Sequence, residues 1–339
     1  MTHAYVELEL GSIEEFPARA YEHAYDQGWT DGLPIIPATG ENVQQFVAAS
    51  GRAADELIGL VPPRKGRATV EVIAVNAVMA GCRPEYMPVI IAALEGLMDP
   101  RFPLEHMQIT TNPMAPFLLI NGPVRHALEI NSGTGCLGPG WRANATIGRA
   151  IRLILYNAGG ALPGVYSKSA FGSPLRYSYL CGENEEANPW TPFHVGRGFT
   201  RAQSAVTVFR ATNFCNISGS QGIGADEILR HIASHMLPMF SLGDGALLLL
   251  GVNHAQALHA AGLSKRDIQQ KLWQFARLPT SYYAQTFVAM ERAAGRGDAE
   301  MVWRTRSPDE IYIAVAGGPG PQDVYMAAGM PQTRLIKTA

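Results

Sequence analysis

This chain is short of charge, has no long apolar run and scatters its few cysteines, and each shortage removes a class of function. Charged side chains make up 17% of its 339 residues. Soluble domains usually carry about 25%, so part of the surface is expected to be covered by another subunit. No block of Lys and Arg occurs and the formal net charge is −2, so the electrostatic footprint of a nucleic-acid binder is missing. No stretch of about 18 uncharged apolar residues is present, which excludes an ordinary membrane-spanning helix. The opening MTHAYVELELGSIEEF has neither a basic start nor an apolar core, so no secretory signal is expected. Cys82, Cys136, Cys181 and Cys215 include no CxxC pair, which argues against a zinc ribbon or a disulfide framework and for a reducing, cytoplasmic setting.

What is present reads as an α/β protein, large enough for one extended core or two intimately packed halves. Ser12 and Glu15 form a capping-box pattern ahead of a first helix, with Pro17 expected to distort its start. Residues 29–39, WTDGLPIIPAT, are a shaped loop, because Gly32, Pro34 and Pro37 forbid a regular element, and Thr39 or Gly40 begins the next helix. From Ala68 a buried helix is expected, followed by a second one starting at Pro84. Phe117–Ile120 reads as a strand turning at Asn121-Gly122-Pro123. Residues 144–157 read as an amphipathic helix with Asn144 as its N-cap, and 158–200 as an irregular lid or interface. Strands are expected at 204–211, 247–250 and 311–316, a helix at Ile228, Ile232 and Met236, and another capped by Ser264 and Asp267.

The segments LLINGPVRHAL (118–128) and LLLGVNHAQAL (248–258) resemble each other. They suggest an N-terminal helical and loop segment (1–67) followed by two related α/β halves, 68–200 and 201–339.

The strongest constellation is SGTGCLGPGWRANATIGRA, beginning at Ser132. Its glycines, Gly138 and Gly140 among them, let the backbone bend closely around a ligand, and the N–H groups of the following helix favour an anion. Arg142, Asn144 and Arg149 are the residues expected to hold it, and Asn121 and Trp29 join this binding set. The alternative is a glycine-rich connection with Asn144 merely capping a helix. GTGCLG matches GxGxxG in form but follows a helix, so it is not a dinucleotide fingerprint. The ratio of 22 Arg to 5 Lys fits carboxylate recognition or simply genome composition. Glycine loops at 218–224 and 317–322 also follow strands and would complete a composite pocket.

Cys82, beside Arg83 and a helix start, is the expected nucleophile. Glu85 and Tyr86 stand ready for proton transfer and Asp31 is a further catalytic candidate, although Cys82 also fits a small buried hydrophobe and Asp31 a tight turn. Glu183, Glu185 and Glu186 are open to both structural and functional readings. Glu227, His231 and His235 fall at i, i+4 and i+8, a spacing for metal ligands or for a polar helix flank. No cofactor is expected.

The strings WTDGLPIIPAT, AVNAVMAGCRPEYMPVIIAALE and LGPGWRANATIGRAIRLIL resemble an uncharacterised bacterial family encoded beside, or fused to, small proteins with a selenocysteine- or cysteine-Gly-Ser-Cys motif. The resemblance spans most of the chain. It implies a thiol or selenol protein partner and thiol-dependent redox or lyase chemistry on a small metabolite. This chain lacks the Cys-Gly-Ser-Cys element, so a reactive thiol pair of that kind comes from the partner. The leading expectation is an enzyme, or the larger subunit of a two-component enzyme, acting on a small anionic substrate. The alternatives are a non-catalytic scaffold that docks the thiol protein, and a metal-dependent hydrolase.

Overall fold

The computed structural model describes residues 15–219, 222, 224–237 and 245–337. The cap expected at Ser12 and part of the 218–224 loop lie outside them. Helix α1 (Phe16–Asp26) holds Pro17 in its first turn, where the missing N–H costs nothing, so the proline starts the helix instead of distorting it. Helix α2 (Gly40–Ala49) is capped by Thr39, whose Oγ1 accepts the Asn42 N–H. A hairpin of β1 (Leu57–Val61) and β2 (Gly66–Thr69) follows. Helices α3 (Val70–Ala80) and α4 (Met87–Leu97) are apolar on nearly every side and buried accordingly. Between them Gly81 takes the left-handed conformation that ends α3, and Pro84–Tyr86 makes one 3-10 turn.

After the short α5 (Leu104–Ile109) come β3 (Ala115–Asn121), α6 (Val124–Ala127), α7 (Arg142–Asn157) and β4 (Leu180–Gly182). The remainder runs β5 (Ala205–Ala211), β6 (Cys215–Ile217), α8 (Ala225–Met236), β7 (Ala246–Leu250), α9 (Val252–Ala260), α10 (Lys265–Phe275), β8 (Arg277–Pro279), α11 (Gln285–Ala293), β9 (Met301–Trp303), β10 (Ile311–Val315) and β11 (Asp323–Leu335).

Among the described residues one mixed seven-stranded sheet carries the fold, in the order β10-β7-β11-β5-β3-β4 with β6 also beside β11. Strand β3 is parallel to β4 and antiparallel to β5; β7 is parallel to β10 and antiparallel to β11. The two triplets therefore share one strand order and sense, and β5 pairs antiparallel with β11 at their junction. Strand β11 spans both triplets because a register shift between Gly329 and Gln332 bends it.

Alternation along the strands divides the interior into three. Leu118, Ile120, Val206 and Val208 pack beneath α3, α4 and α7. Leu248, Leu250, Ile313 and Val315 pack beneath α8, α9 and α10. Residues of the opposite face, including Phe117, Leu119, Phe209, Leu249 and Met326, meet inside the curl of the sheet. The curl brings its two edge strands together at their carboxyl ends, where the Asn184 N–H donates to the Val315 carbonyl at 2.7 Å. No helix of the described residues is long and apolar enough to cross a membrane.

Candidate functional site

The WTDGLP loop, the AGCRP turn and α7 do come together, but their polar groups bind one another. Arg149 grips Asp31 through two bonds of 2.9 and 2.8 Å and reaches the carbonyls of Leu33 and Pro34 as well. Its fork is spent on fastening the loop to the helix. Arg142 donates to the carbonyls of Gly81 and Cys82 at 3.0 and 3.1 Å, so it closes the end of α3 instead of facing a ligand. Trp29 is 40% exposed and packs its ring edge-on against His23.

Cys82 is corrected in the same way. Its side chain is buried, its thiol donates to the Thr146 carbonyl, and burial pushes it up to about 12. The single 3-10 turn after it supplies too little aligned N–H to offset that desolvation, so Cys82 is a packed thiol and not an activated nucleophile. Tyr86 is buried, which raises its phenol, and Glu85 points to solvent.

Asn144 is not the N-cap of α7; Trp141 occupies that position and Asn144 is buried one turn inside. Its Oδ1 accepts the Asn131 N–H at 2.8 Å, and its Nδ2 donates to the carbonyls of Asn131 and Cys136. The side chain thus pins the glycine loop to the helix. Gly138 and Gly140 lie on the exposed outer part of that loop, Gly138 donating its N–H to Gly135 and Gly140 at a φ of 110°. The loop docks on the one after β10 through a bond from the Gly317 N–H to the Ser132 carbonyl. Convergence of these two glycine loops is therefore real.

Glu227, His231 and His235 have separate duties. Glu227 accepts the Gly224 N–H, His231 bonds the Ser218 carbonyl at 2.6 Å, and His235 bonds the His231 carbonyl. Among the described residues no group of three or more His, Cys, Asp or Glu side chains is placed to hold a metal ion. A surface groove of about 400 Å³ lies elsewhere, between α2, α4 and the end of β11, and its Arg52 is already bound to Glu56 and Glu95.

A denser polar cluster stands at the carboxyl ends of β3 and β4, the place where open α/β sheets bind ligands. Glu183 is wholly buried and accepts from Asn121 Nδ2 (2.6 Å), Asn188 Nδ2 (2.9 Å) and the N–H groups of Phe193 (2.6 Å) and Val315 (3.4 Å). Lys265 Nζ lies 3.8 Å away, its charge disfavoured by burial. Glu185 accepts the Gly122 N–H at 2.7 Å and Asn121 Nδ2 at 3.0 Å, and sits 3.3 Å from Arg125 Nε. Gly122 is needed here: its φ is 83°, and a Cβ would strike the backbone of Gln203 and Ser204. The buried Arg125 turns its outer edge to Glu186, which it holds down at about 2.

Two buried atoms of this cluster have no partner. His194 bonds the Thr200 carbonyl through Nε2 at 3.1 Å, while its Nδ1 lies 3.9 Å from Glu185 with nothing bonded to it. Asn121 gives its amide hydrogens to two carboxylates, which fixes its orientation and leaves Oδ1 unmatched. No family model and no curated protein matches this chain. The reading of the cluster therefore rests on its own chemistry.

Of the expected binding residues only Asn121 belongs to it. The sequence pointed at Glu183, Glu185 and Glu186 without deciding their role, and missed Arg125 altogether. Position was a signal only for Asn121 to Arg125, at the end of an expected strand; β4 went unread inside the irregular 158–200 stretch, so nothing marked Glu183 to Glu186 as a strand end.

Proposed function

We propose that the chain is an enzyme, or the larger subunit of a two-component enzyme, acting on a small carboxylic acid that carries a hydroxyl or amino group. The unmatched Nδ1 of His194 and Oδ1 of Asn121 beside Glu185 carry this reading. With Nε2 donating to Thr200, neutral His194 presents a lone pair at Nδ1. Glu185 and Asn121 likewise offer only acceptors, so the group that completes the set is a hydrogen-bond donor. Desolvation lowers the His194 pKa and keeps the ring neutral, the state a general base requires. Arg125 supplies the anionic end: a substrate carboxylate replaces Glu186 on its outer edge in the same two-pronged geometry. The reaction class that suits a base beside a bound hydroxyl or amine is proton abstraction followed by elimination, a lyase. Glu186 is the exposed edge of the cluster, so a ligand enters from its side.

The test is a melting survey against hydroxy acids and amino acids. A ligand at about 100 times its Kd adds about 2.7 kcal/mol to stability. One or more members should raise Tm in the wild-type protein, and the rise should shrink in Glu185→Gln and His194→Gln. If no member shifts Tm, or the shift survives both substitutions, the assignment fails.

A second reading, a scaffold that docks a thiol or selenol protein, is favoured by Trp29, Leu33, Ile36 and Trp141, all exposed large apolar side chains of the 29–39 loop and the start of α7. Co-purification with such a protein, together with no Tm shift in the survey, selects it.

A further inference from the structure

Helix α7 carries a buried cation that the folded chain leaves uncompensated. On one side of the helix Asp31 is taken by Arg149. On another, Ser178 donates its hydroxyl to the Asn144 carbonyl at 2.8 Å, and Gly148 lets that segment lie flat on the helix, since a Cβ there would strike Ser178. At about 100° per residue around a helix, Arg152 and Tyr156 fall between these two contacts, in the seam between the 29–33 loop and the 176–178 segment.

Arg152 is only 6% exposed, and its one bonded group is Nε, which donates to the Arg176 carbonyl at 2.9 Å. Its Nη1 and Nη2 groups meet no acceptor among the described residues, yet neither is sealed from solvent. The Tyr156 hydroxyl, one turn along the helix on a half-buried side chain, is likewise unbonded among the described residues. Arg176 spends its guanidinium on neutral groups, the Met114 carbonyl, Ser167 Oγ and the Asn112 carbonyl, at 2.9, 3.0 and 3.3 Å. Arg149, Arg152 and Arg176 thus set three positive charges against the one carboxylate of Asp31, a surplus of two. A guanidinium does not shed its proton to escape burial. Desolvation brings Arg152 down to about 10, so it stays charged at neutral pH.

We propose that this seam binds a phosphate group, with the outer edge of Arg152 on two of its oxygens and the Tyr156 hydroxyl on a third. The bond from Nε to Arg176 fixes the plane of the guanidinium and leaves two parallel N–H groups for a bidentate contact. A phosphate monoester carries a charge of about −1.5 to −2 at pH 7, which matches the surplus. A carboxylate brings one charge and two oxygens, and leaves Tyr156 without an acceptor of its own. Neutralising the surplus removes repulsion among the three arginines, so the 29–33 loop and the 176–178 segment pack more firmly on α7 when the site is filled. The site shares no residue with the Glu185 cluster.

The experiment is equilibrium dialysis of the whole protein against radiolabelled inorganic phosphate at constant ionic strength, with hydrogen exchange of the wild-type chain beside it. Binding should saturate at one phosphate per chain and withstand an equal concentration of acetate. Arg152→Gln should weaken it about a hundredfold and Tyr156→Phe about tenfold. Arg152→Lys, which keeps the charge and loses the fork, should fall between the wild type and Arg152→Gln. Glu185→Gln should bind as the wild type does. In the wild-type chain phosphate should slow exchange of the amides of 29–33 and 176–178, and acetate should not, so a variant that fails to fold leaves the test intact. Glycerol phosphate competing for the site assigns it to phosphorylated metabolites, and no competition assigns it to the free ion. No saturable binding, binding that survives Arg152→Gln, equal displacement by acetate, or protection by phosphate confined to other segments overturns the proposal. The phosphate site and the acceptor cluster are tested separately, and either proposal survives failure of the other.

Discussion

At the scale of single residues, what a polar side chain bonds is set by groups distant in sequence. Asn144 shows why. Asparagine is among the best N-caps, and nothing in ANATIGRA reveals that Trp141 begins the helix while Asn144 turns inward to bond Asn131 and Cys136. His194 shows the reverse case, a residue with little local signal whose role comes from burial. The desolvation that dominates its shift acts against attraction from Glu185 and Glu183 and with repulsion from Arg125, and the net direction is downward. A folded pKa below the ordinary value means the unfolded chain binds the proton first. Stability from neutral His194 is therefore complete above about pH 6.5 and is lost as pH falls from there toward the lowered folded value. Denaturation midpoints of wild type and His194→Gln, measured from pH 8 to 5, should diverge in slope below about pH 6.5, with the flatter profile in the variant. Parallel profiles would show that His194 is freely protonated in the folded protein.

At the scale of elements, legibility followed the locality of the signal. The Ser264–Asp267 capping box, the Thr39 cap of α2 and the strand at Ala246–Leu250 depend on neighbours in sequence and are all present. The β1–β2 hairpin and the 13-residue β11 were missed because Pro62, Pro63, Gly329 and Pro331 interrupt their alternation, and only tertiary pairing overrides those breaks. The 29–39 loop was read as shaped, and its shape has an energetic cause in the Asp31–Arg149 pair. The side chains are 4% and 14% exposed, so neither charge has water to fall back on. Asp31→Ala leaves Arg149 uncompensated against α7 and should cost about 3 kcal/mol. Urea denaturation measures the loss, and limited proteolysis should find new cleavage within 29–39. A change below about 0.5 kcal/mol would mean that Arg149 is not committed to the loop and is free to take an anion, as the sequence first suggested.

At the scale of the whole molecule, β3, β4 and β5 have the arrangement of β7, β10 and β11, although β5 lies within the 201–339 stretch that the sequence grouped with the second set. The sequence could not show how the two triplets close on each other, because that depends on one side chain meeting groups up to 132 positions away. Glu183 is that side chain. All its bonds inside the edge junction are accepted ones, from Asn121, Asn188, Phe193 and Val315. Glu183→Gln keeps the size but turns one oxygen into an NH2 donor facing donors, leaving at least one buried N–H unmet. The expected cost is about 3 kcal/mol, concentrated where β4 meets β10. Hydrogen exchange should detect it locally: the amides of Asn184, Phe193 and Val315 should exchange faster in the variant. Those of Leu118 and Val208, inside the sheet, should keep their protection until global unfolding. Uniform acceleration across the sheet would instead place Glu183 in the general stability of the core and remove its role in holding the two edges together.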